Sequence, residues 1–130
     1  SYIICKGTEE GLVLHMHELS IVMNIVDIAE EEAKRHRARA VSSIELDIGE
    51  MAGVEMDALD FAWESSVRNT VLEHAERIVH RIPGRARCLN CSLEYPIQEA
   101  FDPCPACGEV LVEHVQGKEL KVKSLVLSDD

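Results

Sequence analysis

Two cysteine pairs, Cys88-Leu-Asn-Cys91 and Cys104-Pro-Ala-Cys107, separated by twelve residues, restrict the folding of this chain more than any other feature. Two residues between cysteines let the backbone turn in a tight knuckle whose amides face the sulfurs, and two knuckles supply the four thiolates of a tetrahedral Zn(II) site. Such a site has no open position for water or substrate, so its metal is expected to stabilise its lobe and not to catalyse. Pro103, Pro105 and Gly108 shape the second knuckle, and Gly108 is expected to supply a backbone turn that a side chain would resist. A thioredoxin-like redox pair would need its Cys-x-x-Cys at a helix N-terminus in a βαβ context, which neither pair has. The same four ligands could hold iron, but zinc is the better reading for a ribbon inserted between strands. Cys5 stands apart and reads as a free thiol without a role.

A chain of 130 residues can bury one main core plus a small lobe that needs a metal to fold. The formal net charge of −11, from 24 acidic and 13 basic residues, would repel a phosphate backbone and argues against nucleic acid as partner. Cations and basic protein surfaces suit such a chain better. No apolar run reaches the length of a membrane span, and the N-terminus lacks the basic and apolar regions of a secretion signal, so a soluble, cytoplasmic protein is expected. In that reducing compartment paired cysteines hold metal or do redox chemistry more often than they form structural disulfides.

Residues 1–15 show neither sustained helical periodicity nor a motif, and the His15-Met16 step resembles a cloning junction. They read as an N-terminal extension, with Met16 beginning the natural protein. From Met16 to about Arg37, Leu19, Val22, Val26, Ala29 and Ala33 form a helical stripe, widened by Met23 and Ile25. Glu30 with Lys34 and Glu31 with Arg35 stand in the favourable acid-first order on that helix. Ile44, Leu46 and Ile48 then alternate with Ser43, Glu45 and Asp47 in a half-buried strand. Asp57 is placed to cap a second helix through about Thr70 that turns Leu59, Ala62, Trp63 and Val67 inward. Strands are expected over Ala75 to Ile82 and Leu120 to Leu127; the latter needs a bulge near Ser124, because Leu120 and Val122 are out of phase with Leu125 and Leu127.

These elements predict an α+β fold, two helices on a small, mostly antiparallel three-stranded sheet with an inserted zinc-ribbon lobe. The expected organisation is an extension over 1–15, a main domain over 16–84 plus 116–130, and a zinc-binding ribbon over 85–115.

The run Met16-His17-Glu18-Leu19-Ser20, the strand ending Asp47-Ile48-Gly49-Glu50 and the double Cys-x-x-Cys, in that order and separation, resemble the hydrogenase nickel-incorporation family HypA. The likeness covers residues 16 to about 127. It implies a nickel site built from the amine of Met16, the imidazole and amide of His17 and the amide of Glu18. Ni(II) accepts a square-planar set of such nitrogens, and neighbouring donors form small chelate rings. The resemblance also implies Ni2+ as transferred cargo beside a structural Zn2+, with no enzymatic turnover. The partners it implies are a HypB-type GTPase, the large subunit of a [NiFe]-hydrogenase and, in some organisms, urease maturation proteins. With residues 1–15 attached, Met16 carries an amide in place of a free amine, and His15 with His17 would offer an alternative His-x-His site. On residues alone His17 would read as an exposed polar side chain, and Glu55, Asp57, His36, His74, His80 and His114 read as solvated surface.

Overall fold

The structure, a computed structural model, describes residues 3–4 and 18–129. The alternating segment forms the longest strand, β2 (Ala40–Gly49), preceded by the two-residue β1 (Ile3–Ile4) and the helix α1 (Glu18–Arg35). Beyond β2 come the helix α2 (Met56–Ser66) and the strands β3 (Glu76–Ile82), β4 (Arg85–Cys88), β5 (Glu94–Pro96), β6 (Val112–Gln116) and β7 (Leu120–Ser128).

The main sheet has the order β1-β7-β2-β3. β2 pairs antiparallel with β7 and parallel with β3, the latter through a crossover that contains α2. On its inner face Ile44 sits opposite Leu125, Leu46 opposite Val122 and Ile48 opposite Leu120, all buried. Those pairs stay in phase because the register shifts between Glu45 and Leu46, passing from Ser124 to Val122 and leaving Lys123 as the extra residue. The expected bulge near Ser124 is therefore real, and a second irregularity between Val41 and Ser43 lets Val41 join the same core. Without the shift at Lys123, Leu125 and Leu127 would turn to the face opposite Leu120 and Val122.

Both helices cover this inner face, contributing Ile21, Val22, Ile25 and Ala29 from α1 and Leu59, Ala62 and Trp63 from α2 to one core. This is the α+β architecture expected, with Ile3–Ile4 adding a fourth strand antiparallel to β7 from a segment that carried no readable signal. Several details differ. The buried stripe of α1 runs through Ile21, Ile25 and Glu32, while Leu19 and Met23 are 51% and 54% exposed. The apolar residues of α1 outline two faces, and the face that wins continues into a buried Glu32, whose carboxylate receives Arg35 at 3.1 Å. The end of α1 is set by Arg37, which takes φ +56° while the amides of Arg37 and Ala38 bond the carbonyls of Lys34 and Ala33. That pattern usually uses glycine, so no glycine signalled it.

Asp57 does not cap α2. It lies in the first turn, and the N-cap position belongs to Glu55, whose side chain makes no capping bond. The helix also ends at Ser66, four residues before Thr70, because Asn69 at φ +63° and a run of turns through His74 take the chain back toward β3.

Candidate metal centre

Residues 85–116 form a separate three-stranded antiparallel sheet, β5-β4-β6, that carries both cysteine knuckles. The knuckles are built alike. In the first, the amide of Cys88 bonds the carbonyl of Leu93 and the amide of Ser92 bonds the carbonyl of Cys88. In the second, Cys104 bonds Glu109 and Gly108 bonds Cys104 in the same way. The fourth residue after each leading cysteine has positive φ, Ser92 at 65° and Gly108 at 77°. Gly108 thus takes the expected role, while Ser92 performs it without a glycine to announce it.

This folding brings the sulfurs of Cys88, Cys91, Cys104 and Cys107 within 4.8 Å of one another. Across the knuckles, Cys88 lies 3.5 Å from Cys107 and Cys91 lies 3.6 Å from Cys104. The amides of Asn90 and Cys91 donate to the Cys88 sulfur, and the amide of Ala106 donates to Cys104, each at 3.4 Å. The Asn90 side-chain amide donates to the Cys107 sulfur at 3.5 Å. Donors aimed at sulfur favour thiolate, the form that binds a soft cation. Cys88 and Cys104 are buried, whereas Cys91 and Cys107 face solvent. The donor set therefore fits a tetrahedral thiolate-bound ion, closed to further ligands.

The same sulfurs perturb one another. Cys107 is held down to about 7 by the Asn90 side chain, the Glu109 amide and Cys88. For Cys91 the Leu93 amide pulls down, but hydrogen bonding to Cys104 and burial outweigh it and push the thiol up to about 12. Four thiols this close cannot all ionise without a cation between them. Around them, burial raises the Tyr95 phenol, whose hydroxyl donates to the carbonyl of Asp102 at 3.0 Å. The amides of Gln98 and Glu99 hold the Asp102 carboxyl below its ordinary range. Burial lowers His114, which favours the neutral imidazole on β6.

The apolar part of this lobe is small: Ala86, Tyr95 and Ile97 beside Cys88 and Cys104, with Val112 and Met51 packed against them. Met51 comes from the loop after β2, so the main domain lends the lobe a side chain. The loop enters where backbones cross almost bare. Gly84 has no room for a Cβ between the Ile97 carbonyl and Met51, and Gly117 meets the Cα of Gly84. The amides of Gly49 and Met51 bond the carbonyls of Glu119 and Gly117 at 2.7 Å each.

Of the residues expected at the other metal site, Met16 and His17 lie outside the described residues, as do Cys5 and His15. Glu18 is described, half-buried in the first turn of α1, and its carboxylate accepts a hydrogen bond from the amide of Glu55 at 3.2 Å. The start of α1 is thereby tied to the start of α2. Neither that tie nor the Met51 contact had any local signal, because each joins residues far apart in sequence. Asn90 was a missed contributor, and its position inside a knuckle was the available clue.

A model of the family described as hydrogenase/urease nickel incorporation, metallochaperone, hypA matches residues 16–127. The chain belongs to the HypA family. The hydrogenase maturation factor HypA of Parabacteroides distasonis is 44% identical to it over 115 residues, covering 88% of this chain and all of that protein. The corresponding HypA of Geobacter metallireducens is 44% identical over 110 residues, covering 85% of this chain and 97% of that protein. The solution structure of the Ni metallochaperone HypA from Helicobacter pylori superposes with a TM-score of 0.64 over 88% of this chain and 100% of that one, at 24% identity. That likeness establishes a HypA-like fold. Among the described residues no helix is long and apolar enough to cross a membrane.

Proposed function

We propose that this protein, with its N-terminus at Met16, is a nickel carrier that takes up Ni(II) through Met16, His17 and Glu18 and delivers it for [NiFe]-hydrogenase maturation, while zinc holds its lobe folded. The observation that supports the reading most is the match to the nickel-incorporation family over residues 16–127, with the four cysteine sulfurs gathered inside that span. Zinc would be held by Cys88, Cys91, Cys104 and Cys107 and would supply cross-linking of the two knuckles, not reactivity.

For nickel, the amine of Met16, the amides of His17 and Glu18 and the His17 imidazole are adjacent in sequence, so they close small rings with little ordering cost. Binding requires loss of protons from these donors, so affinity falls as pH drops, which suits a carrier that must release its cargo. The chain transfers an ion and turns over no substrate. Its partners in this reading are a HypB-type GTPase and the hydrogenase large subunit, with urease maturation proteins as a further recipient route, all in the cytoplasm.

The test is a nickel titration, followed by absorption spectroscopy, of a chain beginning at Met16, its His17→Ala variant and the chain with residues 1–15. Tight binding by the first alone is expected. Equal binding by all three would remove these donors from the site, and no preference for Ni(II) in the first would end the carrier reading.

A further inference from the structure

The four cysteines are unequal in a way that zinc binding alone does not use. Each cross-knuckle pair joins one exposed sulfur to one buried sulfur: Cys107 faces Cys88 at 3.5 Å, and Cys91 faces Cys104 at 3.6 Å. Cys88 and Cys104 are 1% and 2% exposed, so a small oxidant in solution reaches Cys107 and Cys91 first. Within its knuckle, the sulfur of Cys88 accepts hydrogen bonds from the amides of Asn90 and Cys91 at 3.4 Å each. Each exposed sulfur thus has a buried sulfur across the lobe at 3.5 or 3.6 Å, inside a cluster whose four sulfurs all lie within 4.8 Å of one another.

We propose that the metal centre is also a peroxide-responsive site, in which oxidation begins at Cys107 or Cys91 and closes the disulfides Cys88–Cys107 and Cys91–Cys104, releasing the zinc. The proposal rests on the reading of this centre as a zinc site. In the first step the exposed thiolate attacks one oxygen of hydrogen peroxide. The O–O bond breaks, the sulfur becomes a sulfenic acid, and the departing hydroxide takes a proton to leave as water. In the second step the buried thiolate across the lobe attacks the sulfenic sulfur. The S–S bond forms, the S–O bond breaks, and a second hydroxide leaves as water with another proton. Two thiolates have then lost two electrons to one peroxide, which with two protons has become two waters. A second peroxide oxidises the other pair in the same way.

The cross-knuckle pairing is what distinguishes a reversible device from damage. Two bridges from the end of β4 and the turn after it to the segment after β5 join the halves of the lobe that the metal had joined. The oxidised lobe therefore keeps its connectivity, and thiol reduction can regenerate the four ligands. Bridges within each knuckle would leave the halves unlinked once the zinc had gone. Loss of zinc from the oxidised lobe also follows from its chemistry, since a disulfide sulfur is a far poorer ligand than a thiolate.

The experiment uses the full chain with Cys5→Ser, so that only the paired cysteines can react, and counts bound zinc before hydrogen peroxide is added. Metal release is followed with a chromogenic chelator, and the bridges are mapped by tandem mass spectrometry: cleavage at Glu94 and Glu99 separates the knuckles, and fragmentation between Cys88 and Cys91 and between Cys104 and Cys107 assigns each partner. Release of the bound zinc, peptides linked through Cys88–Cys107 and Cys91–Cys104, and recovery of zinc binding after thiol reduction are expected. Zinc retained under peroxide, bridges confined to Cys88–Cys91 and Cys104–Cys107, or irreversible oxidation would overturn the proposal. A purified chain without zinc that also binds none on addition would instead sink the zinc reading beneath it.

Discussion

The carboxylate of Glu18 and the backbone N–H of Glu55, 37 positions apart, are joined by a hydrogen bond of 3.2 Å. Glu55 is the N-cap residue of α2 and makes no capping bond of its own, so an acid from α1 stands beside the positive end of the second helix. One carboxylate thus satisfies an amide at the start of α2 and ties the first turn of α1 to it.

Glu18→Ala is expected to loosen this junction. An exposed hydrogen bond to a charged acceptor contributes about 1 kcal/mol, so the thermal midpoint should fall by a few degrees. The more discriminating measurement is amide exchange at Glu55, which should speed up in Glu18→Ala and remain nearer the parent in Glu18→Gln. Unchanged protection of Glu55 in the alanine variant would show that the bond does not persist in solution.

Removing the metal should divide the molecule. The apolar core of the lobe consists of five buried residues, and two of them, Cys88 and Cys104, are ligands. Nothing comparable limits the larger core beneath α1 and α2. A strong chelator should therefore collapse amide dispersion for residues 85–116 in a heteronuclear spectrum while β2 and β7 keep theirs. Global unfolding under the same treatment would contradict two separately stabilised cores.

A pH dependence follows from the outer face of the sheet. Glu45 accepts a hydrogen bond from the Ser124 hydroxyl at 2.8 Å and lies 3.3 Å from His80 Nε2. The Ser124 bond first, and then His80, hold its carboxyl below the ordinary range. With the folded value depressed, the contribution to stability is complete above the unfolded carboxylate pKa and is lost as pH falls through the lower folded value. Carboxyl NMR titration should place Glu45 below an ordinary glutamate, and Ser124→Ala should bring it back upward. No upward movement would mean that the hydroxyl is not its main partner.

At the backbone crossing, a methyl group on Gly49 would fall on the carbonyl of Gly117, and the obstructing atoms are main chain. Gly49→Ala is expected to cost about 3 kcal/mol, the upper part of the range for overpacking. Gly53 offers a contrast: its φ is +77° but nothing lies within 4 Å of an added Cβ. Gly53→Ala should cost only the backbone strain of about 1 kcal/mol. Denaturant unfolding of both variants checks the order, and equal losses would rule out the close approach as the cause.

Periodicity made most of the framework legible. Ile44, Leu46 and Ile48 announced β2 because a half-buried strand requires that alternation, and the phase change in β7 even located a bulge. The cysteine spacing specified a four-sulfur cluster because the chain between knuckles has few other ways to fold. What escaped was long-range or carried by atypical residues. Leu19 and Met23 looked like core because α1 has apolar residues on two sides, and only tertiary packing chooses between them. Arg37 and Ser92 adopt left-handed conformations without the glycine that normally advertises them. Ile3–Ile4 pairs with β7 through main-chain bonds, which no side-chain pattern encodes.

Pro83 and Gly84 lead into the lobe and Gln116 and Gly117 lead out of it, and the Gln116 side-chain amide bonds the Pro83 carbonyl at 2.9 Å. Entrance and exit thus share a doorway. Whatever the ribbon's length or contents, its two stems arrive side by side, so an insertion or deletion among residues 85–115 need not shift the strands beneath it. A short turn grafted across that gap would leave β3 and β7 where they are, making the lobe a cassette that selection can resize while the sheet keeps its register.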